Sequence, residues 1–309
     1  MFLFRPIYNQ VSGLYYDPWR IPDACTLWQW KEETQKTILE EKVAKIKPLN
    51  VKACDKLNLL IIGPKAHGKS SLINAIASVS MQEKTTMSNA GSGQSSSDNV
   101  TTVYRRIKFP GLFDSFTVGD VKGLTKEVGA SSNLLEDLKL LIKGHIKPGY
   151  KFDATKPIAT DDSFYIDNPN TAYMIHGVII VFDITETYEI HAAHLNDIKD
   201  LTKKLHEMNI PISVMLTKAD KLCRRVAENV EYIYHSKKVL TAVITVEKAL
   251  SVPKKNIHPI VNFEDEISFG WKSSLPLLVA LRACLSMAKC HLYNEQQKKG
   301  NAEAEAKSK

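Results

Sequence analysis

The sequence predicts an α/β fold: a doubly wound, mostly parallel sheet flanked by helices, with an N-terminal helix in front of it. Three stretches carry that expectation. Leu57-Asn-Leu-Leu-Ile-Ile62 is an apolar strand that passes through a loop directly into a helix start. Gly177-Val-Ile-Ile-Val-Phe-Asp183 is the most apolar strand in the chain, unbroken in the way of a parallel strand buried on both faces. Ile212-Ser-Val-Met-Leu-Thr217 is a further buried strand, and it runs into Lys218-Ala-Asp220.

The loop after the first strand organises the rest. Gly63 to Ser70 (Gly-Pro-Lys-Ala-His-Gly-Lys-Ser) fits G-x-x-x-x-G-K-S/T without a mismatch, in the strand-loop-helix setting that gives the motif meaning. Cradling phosphate oxygens needs several backbone N–H groups turned inward at once, and Gly63 and Gly68 stand where the tight turns fall. Pro64, Lys65, Ala66 and His67 form the body of the loop, and Ser71 follows on the helix. Lys69 is placed to reach the β- and γ-phosphates, and Ser70 to put its hydroxyl on Mg2+. At the variable positions, Lys65 and His67 are read either as extra cations for phosphate or as solvent-facing side chains. The fold expectation thereby narrows to a P-loop NTPase of GTPase-like type.

Composition sets the frame. The chain has 309 residues, 44% apolar and 24% charged, the balance of a globular protein with core enough for one large domain. Apolar runs such as Val178 to Phe182 are far too short to span a bilayer, and Met1-Phe-Leu-Phe-Arg-Pro lacks the layout of a signal peptide. The reading is therefore of no transmembrane segment. Five scattered cysteines with no C-x-x-C pair suggest neither a disulfide framework nor a zinc site, and fit a reducing cytoplasm. A formal charge of +7 is spread along the chain rather than gathered in one stripe, so a nucleic-acid partner has no support.

In chain order, residues 26–46 read as an amphipathic helix ended by Pro48, making 1–50 an N-terminal segment packed on a domain at 51–295. A helix follows the phosphate loop from Lys69 to about Val79. Residues 84–102 are Ser, Thr, Gly and Asn-rich, as a mobile nucleotide switch would be; Thr101 and Thr102 are its candidates for Mg2+ and the γ-phosphate. Residues 103–109 and 112–118 alternate as a hairpin, leading to Asp120-Val-Lys-Gly123. A D-x-x-G at this place uses its Asp on Mg2+ and its Gly N–H on the γ-phosphate, so Asp120 and Gly123 join the site.

Asp183, ending the most apolar strand, is a rival metal carboxylate, and under that reading the protein is an ATPase. Thr217-Lys218-Ala219-Asp220 argues for guanine instead: Asp220 can accept from N1–H and the exocyclic amine of the base while the Lys218 stem packs along it. A helix at about 133–143 and a polar stretch with Tyr150, Phe152 and Pro157 form an insertion before the strand at 178, suited either to partner contacts or to structural filling. A long amphipathic run at 225–249 precedes a short strand at 256–262, whose end brings Asn262 toward the base. A helix from about Ser274 to Tyr293 covers one sheet face, and 296–309 reads as a disordered polar tail.

With these pieces placed, the chain resembles the interferon-induced protein 44 family of GTP-binding-like proteins. The resemblance runs through Pro18-Trp19-Arg20, Trp30, Lys47-Pro48, Gly63 to Asn74, Leu141-Ile-Lys-Gly-His-Ile-Lys-Pro-Gly-Tyr-Lys-Phe152, Val181-Phe-Asp-Ile184, Leu216-Thr-Lys-Ala-Asp220 and Val261-Asn262. It implies a P-loop GTPase fold, GTP binding and a role in innate antiviral immunity; joined to Ser70 and Asp120 as Mg2+ donors, it leads to the expectation of a switch that binds GTP or GDP with Mg2+ and either self-associates as a homodimer or recruits an immune-signalling protein. Some members carry an additional N-terminal domain, for which this chain leaves no room ahead of the loop. Position 124, directly after Gly123, is Leu where small GTPases place a water-orienting Gln, so slow hydrolysis or none is expected and no catalytic residue is assigned.

Overall fold

The computed structural model describes residues 33–48, 54–87, 102–121, 132–188, 193–261 and 271–307. In chain order these form α1 (Glu33–Ala44), β1 (Leu57–Ile62), α2 (Lys69–Met81), β2 (Thr102–Lys108), β3 (Phe116–Val121), α3 (Ser132–Lys143), β4 (Lys151–Phe152), β5 (Gly177–Asp183) and α4 (Ala193–Glu207). After them come β6 (Ile212–Thr217), α5 (Ala219–Leu222), α6 (Arg224–Glu228), α7 (Lys237–Leu250), β7 (Ile257–Pro259) and α8 (Trp271–Lys307). Among the described residues the strands make one sheet of seven, in the order β4-β2-β3-β1-β5-β6-β7.

The strands from β3 to β7 are parallel, and β2 and β4 add an antiparallel edge. Every residue of β1, β5 and β6 is buried, which is why these segments read as unbroken apolar runs rather than alternating ones. The chain leaves β1 for β3 on one side and reaches β5 on the other. That reversal opens a crevice beyond the carboxyl end of β1, the place where open α/β sheets bind ligands.

The expected hairpin is present, but its second strand starts at Phe116, several residues later than the alternation suggests. The backbone before it bonds to α2 instead of to β2: Leu112 N donates to Ser80 O (2.9 Å) and Phe113 N to Ser80 Oγ (2.9 Å), while Ser80 Oγ donates to Pro110 O (2.6 Å). Gly111 makes the approach possible, since a Cβ there would lie 2.2 Å from Ser80 O. The amphipathic run at 225–249 is also broken. Asn229 and Ser236 interrupt it by accepting from Glu231 N (3.1 Å) and Val239 N (3.3 Å), each starting a new helical turn.

Two helix ends differ from the sequence reading. The described part of the N-terminal helix is Glu33–Ala44, its Leu39 and Val43 buried as it packs along α8. Helix α8 continues to Lys307, so the polar segment from Gln296, expected to be disordered, is helical over its described length. Its Ala, Glu and Lys residues are strong helix formers, and charge alone does not break a helix already started by a packed face. Residues Ser273–Lys298 of α8 are long and apolar enough by composition to cross a membrane, a feature hidden from a search for uninterrupted apolar runs. Here that face is spent on the sheet, with Leu278, Leu281, Leu285 and Ala288 fully buried.

The insertion is fastened at both ends. Asp137 of α3, itself fully buried, accepts from Tyr150 Oη and Ile158 N (2.8 Å each), and β4 extends the sheet by pairing with β2. On the return, Asn58 Nδ2 donates to Ala172 O and Met174 O (2.8 Å each), Arg106 donates to Ala172 O (3.1 Å) and Tyr173 O (3.0 Å), and Asn58 N donates to His176 Nδ1 (2.9 Å). The polar Asn58 in a central strand is thereby satisfied.

Burial holds His176 down to about 4, and does the same to His258, whose ring nitrogens have no hydrogen-bond partner among the described residues. The fold prefers both imidazoles neutral. Their contribution is complete above the unfolded value near 6.5 and is lost as pH falls from there toward 4, at roughly 1 kcal/mol per pH unit for each ring. Thermal unfolding followed across pH 7 to 4.5 is therefore expected to show a falling midpoint, with a shallower fall in His258→Leu. Equal pH slopes in the variant and the parent would contradict this assignment.

Candidate functional site

The phosphate loop sits at the crevice, joining β1 to α2. Gly63 has φ 156°, and a Cβ on it would lie 2.2 Å from Val181 O, so the loop crosses the end of β5 closer than any side chain allows. Gly68 turns the chain into α2 with φ 88°. Between them Ala66 holds φ 66°, a left-handed conformation that costs a residue with a Cβ about 1–2 kcal/mol. Lys69 is buried and its Nζ donates to Gly63 O and Pro64 O, 2.6 Å each, so the ammonium is folded onto the loop. Pro64 is buried, Lys65 is exposed, Ser70 is half-buried in the first turn of α2, and Ser71 is buried behind it.

The T-K-x-D segment reaches the same loop from β6. Thr217 is fully buried and its hydroxyl donates to His67 O (2.8 Å), which makes it a support for the loop. Lys218 has φ 61°, and its Nζ donates to Ala66 O (2.9 Å) and to Asp183 Oδ2 (2.5 Å). Asp220, in the short helix α5, is half-buried, and among the described residues its carboxylate has no partner.

Two readings of individual residues change. His67 is neither a phosphate cation nor solvent-facing: it is 1% exposed, its ring centroid lies 5.0 Å from that of Phe182, and Nδ1 accepts from Asp183 N (3.0 Å). An accepting Nδ1 puts the proton on Nε2, which lies 3.1 Å from Glu186 Oε1. Asp183 is not an open metal carboxylate either. Oδ1 accepts from Thr185 N (2.9 Å) and Thr185 Oγ1 (2.7 Å), and Oδ2 holds Lys218. Burial pushes this carboxyl up, yet the hydrogen bonds from Lys218 and Thr185 outweigh it and keep Asp183 below the ordinary carboxylate value.

Asp120 is buried at the carboxyl end of β3, level with Ile61 of β1, so it shares the sheet edge with the phosphate loop. Thr102 starts β2, which runs antiparallel to β3 and brings its first residue to that same edge. Thr101, Gly123 and Asn262 lie outside the described residues. A Mg2+ ion wants hard oxygen donors, and Ser70 and Asp120, at the ends of adjacent elements, are of that kind. The sequence reading missed the Lys218 to Asp183 contact and the burial of His67. Asp183 followed two residues later by Thr185 is a turn signal that marks the carboxylate as locally engaged.

Strand order, the switch-point crevice and a glycine-punctuated loop opening a helix define a P-loop α/β fold. The chain is similar to interferon-induced protein 44-like of Homo sapiens, 26% identical over 240 residues that cover 75% of this chain and 52% of that protein. It is also similar to interferon-induced protein 44 of Mus musculus, 27% identical over 235 residues covering 74% and 54% respectively. The chain thus spans about half the length of the curated relatives it matches. No family model matches it. Among solved structures, the LeoA bacterial dynamin GTPase from ETEC aligns over 88% of this chain and 47% of its own, at 13% identity and a TM-score of 0.49; the fold assignment rests on the strand order itself.

The Asp183–Lys218 contact joins β5 to β6 over a strained loop, and so the two residues should be coupled. In urea unfolding, a double-mutant cycle of Asp183→Asn and Lys218→Met is expected to give a coupling of about 1 kcal/mol, within the usual range for residues in contact. Strict additivity would mean that the pair does not hold the loop.

Proposed function

We propose that this chain binds guanine nucleotide with Mg2+ and acts as a nucleotide switch or slow GTPase. The observation that carries the proposal is that the T-K-x-D segment is bonded to the loop at Gly63–Ser70 by both Thr217 and Lys218, which supports reading Asp220 and the loop amides as parts of one site. In this reading the amides from Gly63 to Ser71 and the Lys69 ammonium hold the phosphates. Ser70 and Asp120, with a Thr from 101–102, hold Mg2+, and Gly123 senses the γ-phosphate. Lys218 and Asp220 take the base, Thr217 supports them, and Asn262 closes that side. The metal supplies charge neutralisation between the phosphates.

The names of the relatives, interferon-induced protein 44 and 44-like, support a link to the interferon response; the further reading, carried by the family resemblance and not by those names, is a role in antiviral immunity in the cytoplasm with a homodimer or an immune-signalling protein as partner. The free thiols Cys54, Cys223, Cys284 and Cys290 support the same compartment. A second reading, a nucleotide-binding scaffold that does not hydrolyse, is favoured by Leu124 directly after Gly123, because an alkyl side chain cannot orient an attacking water.

Calorimetric titration with GTP, GDP and ATP in Mg2+ tests the binding. Guanine nucleotides are expected to bind and ATP not to, with Lys69→Ala abolishing the heat and Asp220→Asn moving preference toward xanthine nucleotides. Binding of ATP in preference to GTP, or no binding at all, would overturn the proposal. For turnover, the expected rate for the isolated chain is near that of an unassisted small GTPase, roughly 10⁻³ per second or below; a rate of order one per second would refute slow intrinsic hydrolysis.

A further inference from the structure

At the end of the sheet remote from the phosphate loop, the last turns of α3 and α4 and the outer part of α8 enclose a cleft of about 610 Å³. Its position follows from the strand directions. Ile175 and Ile210, which line it, lead into the amino ends of β5 and β6, whereas the nucleotide loops leave the carboxyl ends. The floor is apolar: Ile142, Ile175 and Ile210 are buried there, and the partly buried Met174 and Met208 line the cleft beside them.

The rim is cationic. Lys139 and Lys143 of α3, Lys204 of α4 and Lys298 of α8 surround the opening. Lys298 is matched by Glu295 at 2.8 Å; among the described residues the other three make no ion pair. Three lysines without an ion pair, set around partly buried methionines, are a surface suited to acidic and apolar groups together.

We propose that this cleft docks an acidic amphipathic helix from a partner protein, its apolar face on Met174 and Met208 and its carboxylates toward the lysines. Helix-in-groove recognition joins these two demands, and methionine adapts to the shape of what it receives. A compact anion such as phosphate suits the cleft poorly. The carbonyl ends of α3 and α4 bring partial negative charge to it, and Glu207 and Glu295 stand in its wall, so dense charge at one point is opposed while charge spread along a helix finds the rim. A second copy of this chain, at net charge +7, is disfavoured in this cleft by like charge with the lysine rim.

Fluorescence anisotropy on the full chain tests this with a labelled peptide of about 18 residues carrying Leu at helical spacing and Glu on the flanks. Saturable binding is expected, weakened about tenfold or more both in Lys139→Glu/Lys143→Glu and in Met208→Asp, and unchanged in Lys237→Glu outside the cleft and in Lys69→Ala at the phosphate loop. Circular dichroism melts confirm that each variant is folded. Equal affinity for a scrambled peptide of the same composition, no effect of the cleft variants, or displacement of the peptide by millimolar pyrophosphate would each overturn the proposal.

Discussion

Two carbonyl groups, those of Ala66 and His67, are turned toward β6 and held there by the Lys218 ammonium and the Thr217 hydroxyl. In a planar trans peptide the N–H lies opposite the C=O, so anchoring these two oxygens aims the N–H groups of His67 and Gly68 the other way. A loop that must present several amides to one anion would relax if its carbonyls were left to choose their own partners. The cost of the left-handed Ala66 is set against the Lys218 bond that pins its oxygen, and residues distant in sequence maintain a backbone shape that the loop would not keep alone.

The support beneath those residues is the parallel core of β1, β5 and β6. Gly63 passes over Val181 of β5, His67 packs on Phe182, and the amide of Asp183 reaches the His67 ring, so the loop rests on the last three residues of one buried strand. Asp183 then holds Lys218 on the neighbouring strand. The arrangement places His67 and Asp183 side by side without conflict: the Nδ1 of the first accepts a hydrogen bond from a backbone amide and the carboxylate of the second accepts one from an ammonium. Each polar group in this low-dielectric region is answered by a partner, as buried polar networks require.

Much of this could be read from the chain. Strands buried on both faces announce themselves by composition, and the phosphate loop and T-K-x-D carry spacing that chemistry demands. What could not be read depends on contacts between distant segments. His67 occupies a motif position where any residue is allowed, and its burial is decided by β5, 116 residues on. Asp183 ends its strand as a metal carboxylate would; the ammonium that occupies it is 35 residues away. The late start of β3 was hidden because Leu112 and Phe113 are as apolar as strand residues, while their amides belong to Ser80 of a helix. Helix α8 outlasted its apolar face because helix-forming side chains extend what packing has begun.

Asn58 gives β1 a second duty. The strand carries the phosphate loop at its carboxyl end, and near its amino end it holds the returning arm of the insertion through Ala172, Met174 and His176. The insertion therefore cannot be pruned as surface ornament. Trimming it to make a minimal domain would strand an amide side chain in the middle of the sheet, and loop surgery at the periphery would act as a mutation of the core.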